Sequence, residues 1–323
     1  MKQYKLRDAK GHFLGTIPAT ARQNPEIGYK AFTEDLSCKF FHYAVGETYK
    51  LEGRPSLCRK GYHYCLKLSD TTNYYGLVRG NRYCLVAGWG MRLEGDPQSD
   101  DSKRCTNNIK ILKELTLEEV IDILVEEAKK DSGTWRPYAS SYDVLHISSV
   151  QSLYLHNSVI EVYADHGSQL QVSGHHNVVL YRDPRFSGQL VVLDGHGNFL
   201  YSVSAGTNVL LKNASQRAVL KGAYSTVVTQ YHDNLVELHG IGSNAIVHGD
   251  CIVRAPGCSV TMLRADCRLK AVPGTIVIMY DTAVKEPSVP CVPCCEKRYV
   301  AVLDDKIDPN RWYTRADFMG MVK

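Results

Sequence analysis

Ser243-Asn-Ala-Ile-Val-His-Gly-Asp250, Cys251-Ile-Val-Arg-Ala-Pro-Gly-Cys258, Ser259-Val-Thr-Met-Leu-Arg-Ala-Asp266, Cys267-Arg-Leu-Lys-Ala-Val-Pro-Gly274 and Thr275-Ile-Val-Ile-Met-Tyr-Asp-Thr282 repeat one short phrase. Stacked, they give a column of small residues (Ser243, Cys251, Ser259, Cys267, Thr275). Two mostly apolar columns follow: Ala245, Val253, Thr261, Leu269, Val277, then Val247, Ala255, Leu263, Ala271, Met279. This alternation predicts a short strand in each copy, with its first, third and fifth side chains on one buried face. The Gly, Asp, Pro and Asn residues between copies predict bends.

The phrase continues backwards through Asn234-Leu-Val-Glu-Leu, Ser225-Thr-Val-Val-Thr, Gln216-Arg-Ala-Val-Leu, Thr207-Asn-Val-Leu-Leu, Gly188-Gln-Leu-Val-Val, Asn177-Val-Val-Leu-Tyr, Ser168-Gln-Leu-Gln-Val and Ser158-Val-Ile-Glu-Val. About fifteen copies recur at a spacing of roughly eight to eleven residues. A strand this short closes no core alone, whereas strands coiling around one axis bury a continuous apolar column. The expected fold is therefore mainly β: an N-terminal α+β module followed by a β-solenoid with end caps. A β-sandwich also shows short, evenly spaced strands, but would not need the same small residue at the same place in each.

At 323 residues the chain has room for more than one domain. The boundaries read as an α+β region over 1–132, a linker over 133–150, the solenoid over 151–282, and a proline-broken connector with a C-terminal cap over 283–323. A net charge of +4 is too weak to imply nucleic acid. The start, Met1-Lys-Gln-Tyr-Lys-Leu-Arg, lacks the apolar core of a signal peptide, and no run has bilayer-spanning length, so a cytosolic setting without membrane contact is expected.

Eleven cysteines in a chain without an export signal predict packing more than disulfides, with Cys251 and Cys267 in the small column. Cys291, Cys294 and Cys295 concentrate thiols at Cys-x-x-Cys spacing, yet no second pair or nearby histidine completes a tetrahedral site, and no metal is assigned. Histidines at the bends, among them His156, His175, His196 and His248, show no ligand spacing, because the bends shift in register.

The first 26 residues suit a hairpin around Lys10-Gly11. Strands are then expected at Gly28-Tyr-Lys-Ala-Phe32, Leu57 to Cys65, Arg82 to Trp89 and Asn108-Ile-Lys-Ile-Leu112, with a capped helical turn at Ser69 to Tyr75 and an acidic loop from Glu94 to Ser102. Thr116-Leu-Glu-Glu119 is a capping box opening a helix with an apolar stripe of Leu117, Val120, Ile121, Leu124, Val125 and Ala128. That helix is expected to cover the start of the coil, whose open strand edges would otherwise recruit other chains. Arg298-Tyr-Val-Ala-Val-Leu303, Trp312 and Tyr313 are expected to close the other end.

The series Gly28-Tyr-Lys-Ala-Phe, Val45-Gly-Glu-Thr-Tyr, Leu57-Cys-Arg-Lys-Gly-Tyr-His-Tyr-Cys, Asn73-Tyr-Tyr, Asp100-Asp-Ser-Lys and Thr106-Asn-Asn-Ile-Lys-Ile-Leu resembles an uncharacterised domain of bacteriophage and bacterial proteins, often followed by Ser-x-Val-x-Ala-x-Gly repeats. The resemblance implies a phage or prophage setting, in the host cytosol or in a virion, and no settled activity. The order Tyr29-Lys30-Ala31, Val45-Gly46, Tyr62-His63-Tyr64, Tyr74-Tyr75, Tyr83-Cys-Leu-Val86 and Glu94-Gly-Asp-Pro97 also resembles small ADP-ribosyltransferases of the rifampin-modifying type. That likeness implies NAD as cofactor, with Lys30 in place of the NAD-holding histidine, Tyr64 or His63 stacked on nicotinamide, and Asp96 facing the positive charge of an oxocarbenium-like sugar. The chain departs from those enzymes in lacking both the first-strand histidine and the Gly-Thr after it.

Two functions follow as expectations. The first is a non-catalytic binding protein without cofactor, whose repeat scaffold presents a long surface to a macromolecule, a protein or a second copy. The second is an NAD-dependent transferase using the solenoid to choose its target. Polysaccharide cleavage ranks behind both, since Glu161, Asp165, Asp183, Asp194, Asp233, Glu237, Asp250 and Asp266 fall mostly at bends instead of pairing in a groove.

Overall fold

The computed structural model describes residues 3–8, 10–21, 24–95, 101–131, 133, 135–185, 187–280 and 298–322. Asp96, Asp100, Cys291, Cys294 and Cys295 lie outside these residues. Contacts divide the chain into two compact units, Met1–Ser141 and Tyr142–Lys323.

In the first unit, β1 (Gln3–Arg7) and β2 (Phe13–Pro18) form the expected antiparallel hairpin. The strands β3 (Glu26–Phe32), β4 (Ser37–Cys38), β5 (Phe41–His42), β6 (Thr48–Lys50) and β7 (Tyr62–Cys65) follow, then the short helix α1 (Leu68–Thr71). Next come β8 (Arg82–Glu94), β9 (Lys103–Glu114) and the helix α2 (Leu117–Lys130). The main sheet has the order β6-β9-β7-β3-β8, and β9 also pairs with β8, so four of its strands close on themselves.

Gly28 and Gly88 are required there: a Cβ at either would lie 2.6 Å from atoms of the Tyr64 side chain, whose ring is buried between them. The capping box at Thr116 forms as expected, with Thr116 Oγ accepting from the Glu119 amide and Glu119 accepting from the Thr116 amide. Helix α2 belongs to the first unit. Its Glu127 carboxylate accepts from the amides of Leu68 and Ser69 at 2.8 and 2.9 Å, satisfying donors that open α1. Arg136 donates to the buried Asp70 of α1, and Asp70 also accepts from the amide and hydroxyl of Ser102.

The second unit is a β-solenoid of about eight turns over residues 141–279. Two nine-stranded sheets face each other: one runs from Ser141–Ile147 through Arg268–Lys270 to Tyr313–Thr314, the other from Val150–His156 through Ile276–Tyr280 to Arg298–Val302. From Val150–His156 to Ile276–Tyr280 the successive rungs are parallel and in register, for example Asn208↔Thr226 and Val209↔Val227. Facing layers of hairpin partners, as in a sandwich, are therefore excluded for these strands. The coil starts at Ser141–Ile147, ten residues before the expected boundary.

Each turn uses two phrases, so alternate copies stack. The core between the sheets is Val172, Val191, Leu200, Leu211, Val227, Val236 and their equivalents. The small column sits at the corners, where it bonds to the next turn: Thr207 N–H donates to Ser225 Oγ and Ser225 N–H to Ser243 Oγ, both at 3.2 Å. At the opposite corner Asn177 N–H donates to Asn198 Oδ1 at 3.0 Å, and Gln216 N–H to Asn234 Oδ1 at 2.8 Å. These bonds satisfy backbone that the bends leave without ladder partners.

Two copies are offset from the sequence reading. Cys258, Val260 and Met262 are fully buried, whereas Ser259 and Thr261 point to the other face. Asn244 pairs with Ser259, a step of fifteen residues where the preceding steps Asn208↔Thr226 and Thr226↔Asn244 take eighteen, and a one-residue slip exchanges the two faces of a strand. The same slip puts Gln189, Val191 and Leu193 inward in the copy that begins at Gly188. Cys251 and Cys267 occupy the core as expected.

The C-terminal end is closed within this unit. Arg298–Val302 adds antiparallel to Ile276–Tyr280, and Tyr313–Thr314 adds antiparallel to Arg268–Lys270. Trp312 lies under the cations of Arg268 and Lys270, at 4.9 and 4.6 Å from ring centre. No described helix is long and apolar enough to cross a membrane.

Candidate ligand cavity in the first unit

Strands β3 and β7 share a single paired position, Tyr29↔Cys65, while β3 stays paired with β8 over seven residues. Where β3 and β7 part, a cavity of about 680 Å³ opens. That volume is typical of small-molecule sites.

Lys30 forms its floor. The side chain is buried, and Nζ donates to the His63 carbonyl at 3.0 Å and to Cys38 Sγ at 3.4 Å. Nζ also lies 5.3 and 5.2 Å from the ring centres of Phe32 and Tyr43. Burial lowers the pKa of this amine, opposed by the neighbouring thiols.

One wall is aromatic. Phe41, Tyr43 and Tyr49 meet edge to face with centroids 4.7 to 5.4 Å apart, and Tyr62 continues the cluster. Phe40 stands fully exposed at the rim. On the other side Tyr74 and Tyr75 line the space, and the Tyr74 hydroxyl donates to Asp101.

The charged groups among the described lining residues are Lys30, Lys39, Arg59 and Lys103, and none of those described lining residues is an Asp or Glu. Lys103 Nζ lies 4.4 Å over the Tyr74 ring and donates to Cys58 Sγ at 3.4 Å. Two of the lining residues, Lys39 and Cys58, hold left-handed backbone with φ of 56° and 59°. Such non-glycine conformations cost energy and cluster at sites that bind or react.

The sequence-predicted residues divide. Lys30, His63 and Tyr64 all line the cavity. The His63 ring accepts from the Cys58 amide through Nε2 at 2.9 Å, and burial with the nearby lysine cations pushes its pKa down to about 4, so it is a neutral imidazole at neutral pH. The Tyr64 ring is only 2 % exposed and its hydroxyl donates to Glu26 at 2.8 Å, which makes this side chain part of the core. Asp96 lies outside the described residues. Sequence reading missed Cys38, Cys58, Arg59 and Lys103; a basic residue beside a cysteine, as in Lys103-Arg-Cys or Cys-Arg-Lys60, is too common to have marked them.

In the solenoid, His156, His175 and His196 stack on successive turns, with centroids 5.2 and 6.0 Å apart, and His156 pairs in register with His175. The bends are therefore aligned here, contrary to the expected shift. The amides of His175 and His196 each donate to the preceding ring at Nδ1, at 3.3 Å. Among the described residues no group of three or more His, Cys, Asp or Glu could hold a metal ion.

Residues 26–123 match the family model of a domain of unknown function, DUF7666. This stretch carries the strands β3 to β9, α1 and every described residue that lines the cavity. No curated protein and no solved structure matches the chain.

Proposed function

We propose that the protein is a binding protein whose first unit takes a phosphate-bearing aromatic molecule of the nucleotide class, while the solenoid presents its repeat surface to a macromolecular partner. The observation that carries this reading is the lining of the 680 Å³ cavity: four basic side chains, no carboxylate among the described lining residues, and exposed or half-exposed aromatic rings. Cations without counter-charge favour an anion, and aromatic walls favour a flat ring. Lys39, Arg59 and Lys103 would take the phosphates, with Phe40, Tyr62 or Tyr74 against the base.

Calorimetric titration with ADP, adenosine and inorganic phosphate tests the reading. ADP is expected to bind more tightly than either half, and Lys103→Ala or Arg59→Ala to weaken ADP about tenfold or more, the usual value of a charged hydrogen bond, while leaving adenosine unchanged. No heat and no rise in Tm with millimolar ADP or NAD would overturn it.

A second reading is NAD-dependent ADP-ribosyl transfer, in a phage or prophage setting. It is favoured by the convergence of Lys30 and His63 on one cavity whose basic lining suits a dinucleotide. Bound NAD would supply the ribosyl bond to be broken. Lys30 and the basic rim would hold and orient it, and a carboxylate would have to come from Asp101, held by Tyr74, or from Asp96. Nicotinamide release by the wild type, lost in Asp96→Ala and Asp101→Ala, would support transfer; NAD binding without turnover leaves the binding function alone standing.

A further inference from the structure

Three cysteines line the cavity; Cys65 is buried, and the other two each accept a hydrogen bond from a lysine at 3.4 Å, Cys38 from Lys30 and Cys58 from Lys103. The two pairs differ in their surroundings. Lys103 and Cys58 sit at the exposed mouth. Lys30 is buried to 5 % exposure, packed between aromatic rings, and fixed toward Cys38 by its bond to the His63 carbonyl. An amine whose charged form is disfavoured by burial is a better nucleophile than a surface lysine. Cys38 is half-buried and lines the open space, so a small oxidant can reach it. It also lies on the short hairpin Ser37–His42, which forms a two-stranded sheet of its own apart from the main sheet.

We propose that Cys38 and Lys30 form a reversible sulfur–nitrogen bridge when the protein meets a hydroperoxide. The Cys38 thiolate attacks the outer peroxide oxygen, the O–O bond breaks, and water or an alcohol leaves, giving a sulfenic acid. The Lys30 nitrogen then attacks that sulfur through its lone pair, the S–O bond breaks, and the departing hydroxide takes the amine proton as water. Sulfur is oxidised by two electrons, the peroxide is reduced by two, and a thiol reductant reverses the bridge by attack on sulfur. Condensation of a sulfenic acid with a nitrogen neighbour is established cysteine chemistry. The buried thiols of this unit do not compete: burial is the main cause that pushes Cys65 and Cys84 up to about 12 and Cys105 up to about 11, which keeps them protonated. The bridge stands independently of the ligand reading; a loss of anion binding on bridging, through the loss of the Lys30 ammonium, would rest on it.

The folded full-length protein, treated with hydrogen peroxide and mapped as peptides without reductant, tests the proposal. The expected product joins the peptides of Cys38 and Lys30 with a mass two hydrogens below their sum. It disappears with dithiothreitol and is absent from Cys38→Ser. Recovery of Cys38 unmodified, as sulfinic or sulfonic acid, or in a disulfide, with no Lys30-linked peptide in the wild type, overturns it. The decision rests on the wild type, so a variant that fails to fold does not affect the outcome.

Discussion

Removing the Glu237 carboxylate should destabilise the solenoid more than any single surface charge. Arg217 donates to Glu237 across adjacent turns, through Nε at 2.8 Å and through its second nitrogen, with both side chains about nine-tenths buried. The guanidinium also lies 5.6 Å from the Phe199 ring centre, and His239 stands 3.5 Å from the second carboxylate oxygen. Burial alone would raise the pKa of Glu237, but Arg217 and His239 outweigh it and hold the group at about 2 instead of 4.5. A shift of that size corresponds to roughly 3 kcal/mol between the charged and neutral forms. Breaking a buried pair by deleting one partner costs about 3 to 5 kcal/mol by a separate route, because the other charge is stranded. Glu237→Gln should therefore lower the Tm of the second unit by about 6 to 12 °C at pH 7.

The pH dependence follows from the sign of the shift. A depressed carboxylate contributes its full stability above the unfolded value near 4.5 and loses it as pH falls toward 2. The difference between wild type and Glu237→Gln, followed by circular dichroism, should thus shrink across that window. Replacing both partners, Arg217→Met with Glu237→Leu, should recover most of the loss, since neither charge is left buried. A Tm change under about 2 °C at pH 7, or a difference that persists unchanged at pH 2, would refute the reasoning.

Further expectations concern both units. Gly240→Ala sets a Cβ 2.0 Å from the Gly222 carbonyl oxygen of the preceding turn, backbone that cannot give way, so loss of the cooperative transition is expected by calorimetry. Gly88→Ala presses on Tyr64 and should cost about 1 to 3 kcal/mol in the first unit, read from urea unfolding, with partial rescue by Tyr64→Phe. Ellman titration of the native protein should modify Cys58 and Cys38 well before Cys65 and Cys84; equal rates would contradict the burial described. Because His63 is held below its ordinary value, the first unit should be most stable above pH 6.5 and lose stability as pH falls through 4; a histidine resonance for His63 titrating near 6.5 would sink this.

The solenoid could be read from sequence because a coil presents the same environment to each copy: corner positions hold Ser, Thr, Asn, Gln or Cys, and inward positions are mostly apolar. Ser225, Ser243 and Thr275, all fully buried, carry that signal. Phase was harder. An eight-residue count treats every bend as equal, while the turn from Asn244 to Ser259 is three residues shorter than its predecessors, and the period-two pattern tolerates either face for Ser-Val-Thr-Met. The cavity was only partly legible. Lys30 and His63 were reached only through the resemblance to small ADP-ribosyltransferases. The cation at the mouth and the thiols come from distant segments, Lys103 on β9 and Cys38 on β4, and only the parting of β3 from β7 brings them together. Tyr64 shows the converse: Tyr-His-Tyr looks like a ligand wall, yet alternation turns that ring into the core, where two glycines make room for it.

The most direct measurement is a crystal structure of the full chain grown with saturating ADP. The account predicts density for the ligand between β3 and β7, phosphates against Arg59, Lys39 or Lys103 and the base against the Phe40, Tyr62 or Tyr74 ring. A cavity still empty at saturation, or the nucleotide bound elsewhere on the molecule, would contradict it.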